Sequence, residues 1–278
     1  MPTGFWRKLA LGLPTLIGTR PRGFFIPYRY ADQIDAPSTY DVAHDLFMAA
    51  RGDFVAALAM LDRYRDDLLR ISADAAAPAP RWNQDWFATL DAAMFYAMIR
   101  THAPRLLLEI GSGHSTRFAA RAIADSNLTT RHCAIDPAPR ADCSKLRVEL
   151  QRCLLGAADP ADFGALGPGD ILFIDSSHIL MPGSDVDQLF NRILPRLPSG
   201  VLIHIHDIFL PDDYPAEWTW RGYNEQLVIL PMLTSGAYRP LFASRFAQTR
   251  LKKELAASLV ATLPMSDNLA TSLWLEKR

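Results

Sequence analysis

Short apolar segments alternate with longer helical patterns between residues 105 and 207, and most of these segments stop at glycine, aspartate or histidine. Apolar runs of this length are typical of strands that are buried on both faces, as in parallel sheets. The predicted strands are Leu106–Ile110, Cys133–Ile135, Val148–Leu155, Ile171–Ile174 and Val201–Ile205. The alternation therefore predicts an α/β fold with a parallel sheet that is covered by helices.

The last part of the chain follows a different pattern. Tyr238–Ala243 and Ser272–Leu275 predict two more strands, with a helix over Arg250–Leu263 between them. A strand–helix–strand ending of this kind indicates that the sheet closes differently from how it begins. The helices predicted before this ending are Trp86–Arg100, Arg117–Ala124 and Val186–Leu194.

The first 80 residues lack the strand–helix alternation. Residues 1–40 are rich in proline, glycine and aromatic side chains, which predicts an irregular arm. Apolar positions at helical spacing predict two helices between Asp41 and Ile71, separated at Gly52. Residues 73–80 read ADAAAPAP and have the composition of a linker. We therefore divide the chain into an N-terminal arm with helices, residues 1–80, and a main domain, residues 81–278.

Charge and cysteine content limit the expected partners and compartment. The chain has 29 Lys plus Arg and 30 Asp plus Glu, and this balance argues against a broad nucleic-acid surface. Cys133, Cys143 and Cys153 form no C-x-x-C pair, so we expect reduced thiols and a cytoplasmic protein. No apolar run reaches the roughly 20 residues of a membrane helix. The apolar arm over residues 1–30 is the expected contact surface if the protein is a homodimer.

Polar residues and glycines stand where the predicted strands end. In open α/β sheets, ligands bind beyond the carboxyl ends of the strands, so these residues are the first candidates for a site. They are Glu109, Gly111, Gly113, Asp136, Asp175, His178, His206 and Asp207. Their agreement over four strands is a stronger signal than any one motif.

The first strand runs into the turn Glu109-Ile-Gly111-Ser112-Gly113-His-Ser115-Thr. Glycines between a strand and a helix permit a tight turn and let a ligand approach the backbone closely. A nicotinamide-binding turn would carry a third glycine at Thr116, so that class of ligand is disfavoured. Asp136 ends the next strand, where a carboxylate can accept hydrogen bonds from ribose hydroxyls or can serve only as a loop cap.

Four segments together resemble the class I S-adenosylmethionine-dependent methyltransferases. They are LLLEIGSGHSTRF (106–118), the AID that ends at Asp136, GDILFIDSSH (169–178) and GVLIHIHDIF (200–209). Within that superfamily the chain is similar to bacterial methyltransferases of methyltransferase family 24, over about residues 81–278. The resemblance implies a Rossmann-like, seven-stranded, mostly parallel sheet with an antiparallel last strand, preceded by a helical N-terminal extension.

The resemblance also implies a binding site for S-adenosylmethionine. The turn after the first strand would surround the methionine part, and Asp136 would hold the ribose. The implied cofactor-binding residues are Glu109, Gly111, Ser112, Gly113, Ser115, Asp136 and Asp175. Ser115 departs from the pattern, because many superfamily members have a third glycine there. The adenine pocket is expected after the third strand, at Ala157–Asp159, and residues 81–84 are expected to cap the cofactor.

Catalysis requires a sulfonium methyl to be aligned with a nucleophile whose proton is removed. The candidate catalytic residues are Asp175, His178, His206 and Asp207. In one mechanism a histidine acts as the general base. In the other, Asp175, His206 and Asp207 hold Mg²⁺ or another divalent cation, which lowers the pKa of the acceptor hydroxyl, as in the catechol-type O-methyltransferases.

The predicted function is O-methylation of a small-molecule or sugar-like acceptor. Tyr214, Trp218 and Trp220 lie on the loop after the fifth strand and are expected to contact the acceptor or to pack as a lid. Two other classes of function stay open from the sequence. One is a binding module that keeps the cofactor pocket without turnover. The other is a metal-dependent oxygenase built on His204 and His206, which face the same side of a strand.

Overall fold

A seven-stranded sheet forms the centre of the computed structural model, which describes residues 5–20, 22–139, 141–264 and 268–278. Within those residues the strands are β1 (Leu106–Ile110), β2 (Arg131–Ile135), β3 (Glu149–Gln151), β4 (Ile171–Ile174), β5 (Leu202–Ile205), β6 (Tyr238–Ala243) and β7 (Leu273–Lys277). Their order is β3-β2-β1-β4-β5-β7-β6. Strand β7 is antiparallel to β5 and to β6, and the other neighbouring pairs are parallel. The predicted sheet is confirmed.

The register of the parallel strands brings their carboxyl ends to one level. Ile110 lies opposite Ile135 and Ile174, and Ile174 in turn lies opposite Ile205. Backbone hydrogen bonds continue this alignment past the strands, because Asp175 donates to the carbonyl of Ile110 at 2.8 Å. The residues that follow β1, β2, β4 and β5 are thereby placed side by side along one edge of the sheet.

Helices cover both faces of the sheet, and every residue of β1, β4 and β5 is buried. Burial on both faces explains why these strands are continuously apolar. The helices among the described residues are α1 (Phe5–Leu16), α2 (Asp41–Ala49), α3 (Arg51–Met60), α4 (Arg65–Leu69), α5 (Thr89–His102), α6 (His114–Asp125), α7 (Pro160–Gly164), α8 (Asp185–Gln188), α9 (Gln226–Thr234), α10 (Ser244–Arg250) and α11 (Lys252–Ala257). None of them is both long and apolar enough to cross a membrane.

The helices of the first segment pack on the antiparallel end of the sheet. The ring of Phe54 on α3 lies 5.8 Å from the rings of Phe242 on β6 and Phe246 on α10. Phe47 on α2 joins the same cluster, 5.7 Å from Phe246. These contacts place α2 and α3 in one hydrophobic core with the sheet, and the division of the chain at residue 80 stays a prediction.

The N-terminal arm contains more helix than the sequence predicts. Helix α1 spans Phe5–Leu16 with Pro14 inside it, and residues 1–4 and 21 of the predicted arm lie outside the described residues. The proline stands in the last turn, so the residues before it can form regular helical hydrogen bonds. The predicted break between the next two helices is found at Ala50, two residues before Gly52.

Several predicted boundaries shift for local reasons. The helix predicted over Arg250–Leu263 is divided by the extended residue Ser258, and only a 3-10 turn, Leu259–Thr262, follows it. The helix predicted at Val186 begins one residue earlier and becomes a π-type turn over Leu189–Ile193, because Pro195 cannot donate the next helical hydrogen bond. Strand β3 is limited to the three residues that pair with β2.

Candidate active site

A cavity of about 1090 Å³ opens at the edge of the sheet where the strands end. Its walls include residues 110–115, 135–138, 153–157, 175–178 and 206–207, together with Arg81, Trp86, Phe87, Arg117, Arg221 and Tyr223. The strand ends that the sequence singled out therefore surround one space. Of the predicted site residues, Gly111, Ser112, Gly113, Ser115, Asp136, Asp175, His178, His206 and Asp207 line the cavity.

The turn after β1 needs glycine at its first position. Gly111 has a φ of +90°, and a Cβ at this residue would collide with the backbone carbonyl oxygen of Asp175. The turn and the strand end that carries Asp175 are thus in direct contact. Gly113 has extended backbone, and its N–H donates to the hydroxyl of Thr116 at 3.0 Å, which sets the start of α6.

Substituting Gly111 tests this close contact. We expect Gly111→Ala to destabilise the protein by about 1–3 kcal/mol, because the new methyl group forces the turn away from Asp175 in addition to straining φ. Gly236→Ala is the matched control, since Gly236 has a φ of +75° and no atom lies within 4 Å of the position that its new methyl group would take. Thermal unfolding of both variants measures the difference, and equal losses would contradict the contact.

Glu109 lies behind the turn and does not line the cavity. Its carboxylate is fully buried and accepts hydrogen bonds from the hydroxyls of Thr116 at 2.7 Å and Ser115 at 3.3 Å, while His132 Nε2 lies 2.8 Å from its other oxygen. The structure therefore gives Glu109 a supporting position instead of a wall position. It also explains the serine at 115, because its hydroxyl joins the turn to that carboxylate.

Asp136 fixes the second wall of the cavity. Its Oδ2 accepts hydrogen bonds from the N–H of Ser112 at 2.9 Å and from its hydroxyl at 2.8 Å, and Oδ1 accepts from the N–H of Ala138 at 2.8 Å. A carboxylate has about four acceptor positions, so lone pairs remain for a ligand. Asp136 thus ties the glycine turn to the end of β2 while facing the cavity.

The wall after β3 differs in part from the expected adenine pocket. Ala157 lines the cavity together with residues 153–156. Asp159 points elsewhere, because its side chain accepts the N–H of Ala161 at 2.9 Å and caps α7. Of the expected cap, Arg81 reaches the cavity, while Trp82 is buried against the ring of Phe118.

Acidic and imidazole side chains cluster at the ends of β4 and β5. His178 Nε2 lies 3.2 Å from Asp175 Oδ1 and 3.4 Å from Asp207 Oδ2. One ligand atom from each of these three residues falls within 4.8 Å of the others. His206 Nδ1 is farther away, at 3.8 Å from Asp175 and 3.5 Å from Asp207. The predicted metal set of Asp175, His206 and Asp207 stays a prediction, and among the described residues His178 lies closer than His206 to the two carboxylates.

Two buried carboxylates that the sequence did not single out stand behind the histidines. Glu225 Oε2 lies 2.8 Å from His178 Nδ1, and its other oxygen accepts the hydroxyl of Ser176 at 3.1 Å. Asp91 on α5 lies 3.7 Å from His206 Nε2 and accepts the N–H of Thr271 at 2.9 Å. A sequence signal existed for Asp91, because it is a lone acid in the otherwise apolar first half of a buried helix.

The carboxylates control the charge of the cluster. Burial by itself would lower the pKa of His178, but Asp175, Glu225 and Asp207 outweigh it and raise that pKa well above its ordinary value. The pKa of His206 is raised in the same direction, because Asp207, Asp175 and Asp91 outweigh its burial. Asp175 has a side chain that is 44% exposed, and its contacts with the two histidines hold the pKa of its carboxyl below the usual range. This end of the cavity therefore favours positively charged groups.

His204 belongs to the core and not to the cavity. Its ring stacks on Trp274 at 4.4 Å, and its Nε2 lies 2.6 Å from the hydroxyl of Ser272. Burial, together with the charge of His206, lowers its pKa well below the ordinary value. The oxygenase hypothesis required His204 and His206 to ligate one ion, and this placement does not support it.

A substitution of His204 tests this core position. We expect His204→Gln to lower the free energy of unfolding by about 1–3 kcal/mol through lost packing and an imperfect hydrogen bond. Affinity for S-adenosylhomocysteine should change by less than about threefold, because the residue is behind the wall. Denaturant unfolding and calorimetric titration measure the two effects, and abolished binding with normal stability would contradict the assignment.

The aromatic loop after β5 was predicted to contact the acceptor or to pack as a lid, and only its last residues reach the cavity. Tyr214 and Trp218 pack on Phe209, with ring centroids 5.4 and 5.1 Å away, and neither lines the cavity. Arg221 and Tyr223 from the end of this loop do line it. The ring of Tyr223 lies 4.5 Å from that of His178, so the loop contributes the wall next to the acidic cluster.

The glycine turn, the acidic residue after β2 and the ends of β4 and β5 all lie in one segment that matches a known family model. Residues 108–208 match the family model of methyltransferase family 24, which is described as a methyltransferase domain. The match covers about a third of the chain and includes the strands from β1 to β5. No curated protein matches the sequence.

Several solved structures are similar to this chain at low sequence identity. The S-adenosylhomocysteine-bound methyltransferase PaMTH1 of Podospora anserina is 14% identical, with 92% of this chain and 99% of that chain covered and a TM-score of 0.42. An O-methyltransferase from Bacillus cereus is 12% identical, with 80% and 91% covered and a TM-score of 0.39. TomG from Streptomyces achromogenes, an O-methyltransferase of tomaymycin synthesis, is 18% identical, with 67% and 80% covered and a TM-score of 0.34.

Proposed function

We propose that the protein methylates a hydroxyl group of a small-molecule or sugar-like acceptor. The observation that carries the proposal is the single cavity in which the glycine turn and Asp136 meet the cluster of Asp175, His178 and Asp207. The first group is suited to the cofactor, and the second to an acceptor that must lose a proton. Gly111 belongs to the first group and Asp175 to the second, and their close contact makes the two groups neighbours in the cavity.

The cofactor would lie along the edge of the sheet. Its ribose hydroxyls would donate hydrogen bonds to Asp136. Its adenine would pack near residues 154–157, and its methionine part would lie over the turn 111–115. The sulfonium methyl would then face the ends of β4 and β5. Carboxylates at that end favour the positive sulfonium, which helps to align the methyl group.

Transfer requires one bond to form and one to break. The acceptor oxygen attacks the methyl carbon, the C–S bond breaks with its electron pair on sulfur, and S-adenosylhomocysteine is left. The acceptor's proton passes to Nε2 of His178, whose Nδ1 is held by Glu225 at 2.8 Å. Only the neutral imidazole can accept this proton, and because nearby carboxylates raise the pKa of His178, that form becomes more populated as the pH rises above neutral. His206 is a positioning residue for Asp175 and Asp207.

A divalent cation held by Asp175, His178 and Asp207 is a second route. The donor set of two carboxylates and one imidazole fits such an ion, and the Nδ1 contact with Glu225 is the arrangement found behind many metal-binding histidines. When bound, the ion would lower the pKa of the acceptor hydroxyl.

Chelation separates the two routes. With a bound cation, EDTA is expected to lower the rate by about tenfold or more, and Mn²⁺ or Mg²⁺ should restore it. Asp207→Asn should weaken this recovery, whereas Asp159→Asn, outside the cavity, should not. A rate that is unchanged in EDTA would contradict the cation route and leave proton transfer to His178.

An acceptor panel tests the proposed function itself. Purified enzyme is incubated with S-adenosylmethionine and catechols, phenolic acids, or free and nucleotide-linked sugars, and S-adenosylhomocysteine release is followed. Mass spectrometry of the product then locates the methyl group. We expect it on oxygen, and methylation of nitrogen would contradict the proposal.

A further inference from the structure

Arg117 is a buried cation in the wall of the cavity. It lies on the first turns of α6, lines the cavity and is only 6% exposed. Its Nη2 donates to the backbone carbonyl of Asp142 at 3.1 Å, while its buried Nε has no hydrogen-bond partner. Within the described part of the chain, no carboxylate lies at ion-pair distance from it. A guanidinium has five N–H donors, and a buried charge left this way is costly unless an anion joins it.

The position of Arg117 on its helix directs it toward the glycine turn. Side chains on an α-helix tilt toward the N-terminus, so Arg117 leans back over the turn 111–115. The first turn of the helix adds free N–H groups and the positive end of its dipole. All of these features favour a negative group at the same end of the cavity.

A second arginine strengthens this field. Arg81 lines the same cavity, and its Nε is also buried without a partner. The pKa of His114, the first residue of α6, is lowered to about 4 by burial and by the positive charges of Arg117 and Arg81. The cavity is therefore positive beside α6 and negative beside Asp175 and Asp207.

We infer that Arg117 binds the α-carboxylate of the methionine part of S-adenosylmethionine. The inference rests on the cofactor placement proposed above and adds a residue that fixes the cofactor's orientation. Its carboxylate would meet Arg117 at the positive end, and its sulfonium would face the acidic cluster. Arg117 would also distinguish the cofactor from related nucleosides that lack the amino-acid part.

Two ligands and three variants test the inference. Calorimetry compares S-adenosylhomocysteine with 5′-methylthioadenosine, which keeps the nucleoside and lacks the amino-acid part. Arg117→Met is expected to weaken S-adenosylhomocysteine binding by about 10- to 100-fold, the effect of a lost charged hydrogen bond, and to change 5′-methylthioadenosine binding by less than about twofold. Arg117→Lys should lose less, because it keeps the charge without the planar fork.

Arg121→Met is the matched control. Arg121 lies one turn farther along α6 and is paired with Asp125 at 2.7 Å, outside the cavity. Its loss removes the same charge from the same helix, and neither affinity should change by more than about twofold. A parallel loss of both ligands in Arg117→Met, or no loss of either, would overturn the inference.

A ligand-side measurement covers the case in which Arg117→Met does not fold. Wild-type protein is titrated with decarboxylated S-adenosylhomocysteine, which keeps the amine. A drop in affinity of about tenfold or more supports the anchor, and a drop below about threefold overturns it. Failure of the wild type to bind S-adenosylhomocysteine at all is a different result, because it removes the cofactor placement as well.

Discussion

Replacing His178 with glutamine is expected to lower kcat by about 10²- to 10⁴-fold, with little change in cofactor affinity. The side chain holds its Nε2 between Asp175 and Asp207 and its Nδ1 against Glu225, so the residue is aimed at the acceptor's side of the cavity. Glutamine keeps a polar group of similar length but has no ring nitrogen that can accept a proton. Steady-state rates with an acceptor from the panel measure the effect.

Glu225→Gln is the companion variant for His178. It should give a smaller loss of kcat, because the imidazole remains but loses the carboxylate that holds it. His44→Gln, on a half-buried histidine of α2 that does not line the cavity, serves as the control. A His178→Gln enzyme within about tenfold of the wild-type kcat would rule out proton acceptance by this residue.

Replacing Asp136 with alanine is expected to weaken S-adenosylhomocysteine binding by about 100-fold or more, since the two charged hydrogen bonds that we propose to the ribose would be lost together. The same change frees Ser112, whose N–H and hydroxyl both bind Asp136, and so loosens the turn that holds the methionine part. In the proposed placement, the carboxylate would therefore act on two parts of the cofactor at once. Calorimetric titration gives the affinity directly.

Asp159→Ala controls for the loss of a loop carboxylate. Asp159 caps α7 and does not line the cavity, so stability should fall by about 1 kcal/mol without a change in affinity. If Asp136→Ala bound S-adenosylhomocysteine as tightly as the wild type, the ribose would have to lie elsewhere.

The strand ends were predictable from the sequence because two local signals coincide there. Apolar runs mark the buried strands, and the first polar residue after each run marks its carboxyl end. Parallel pairing then places Gly111, Asp136, Asp175 and His206 along one edge without further information. Strand β7 was visible in the same way, after the late helix, whereas its antiparallel direction was implied only by the resemblance to the methyltransferases.

The side chains behind the cavity could not be predicted by this reasoning. Asp91 and Glu225 reach the cluster from α5 and from the start of α9, and only tertiary packing brings them near His206 and His178. Arg117 looked like an ordinary helix residue, since its burial depends on the loop at Asp142. His178 was identified, but its place between Asp175 and Asp207 depends on a backbone φ of +60° that spacing does not reveal.

A crystal structure of the complex with S-adenosylhomocysteine would test the cofactor placement most directly. We expect the ribose hydroxyls on Asp136, the amino-acid part over the turn 111–115, and the sulfur directed at Asp175 and His178. A ligand bound outside this cavity, or bound within it with the sulfur turned away from the acidic cluster, would contradict that placement.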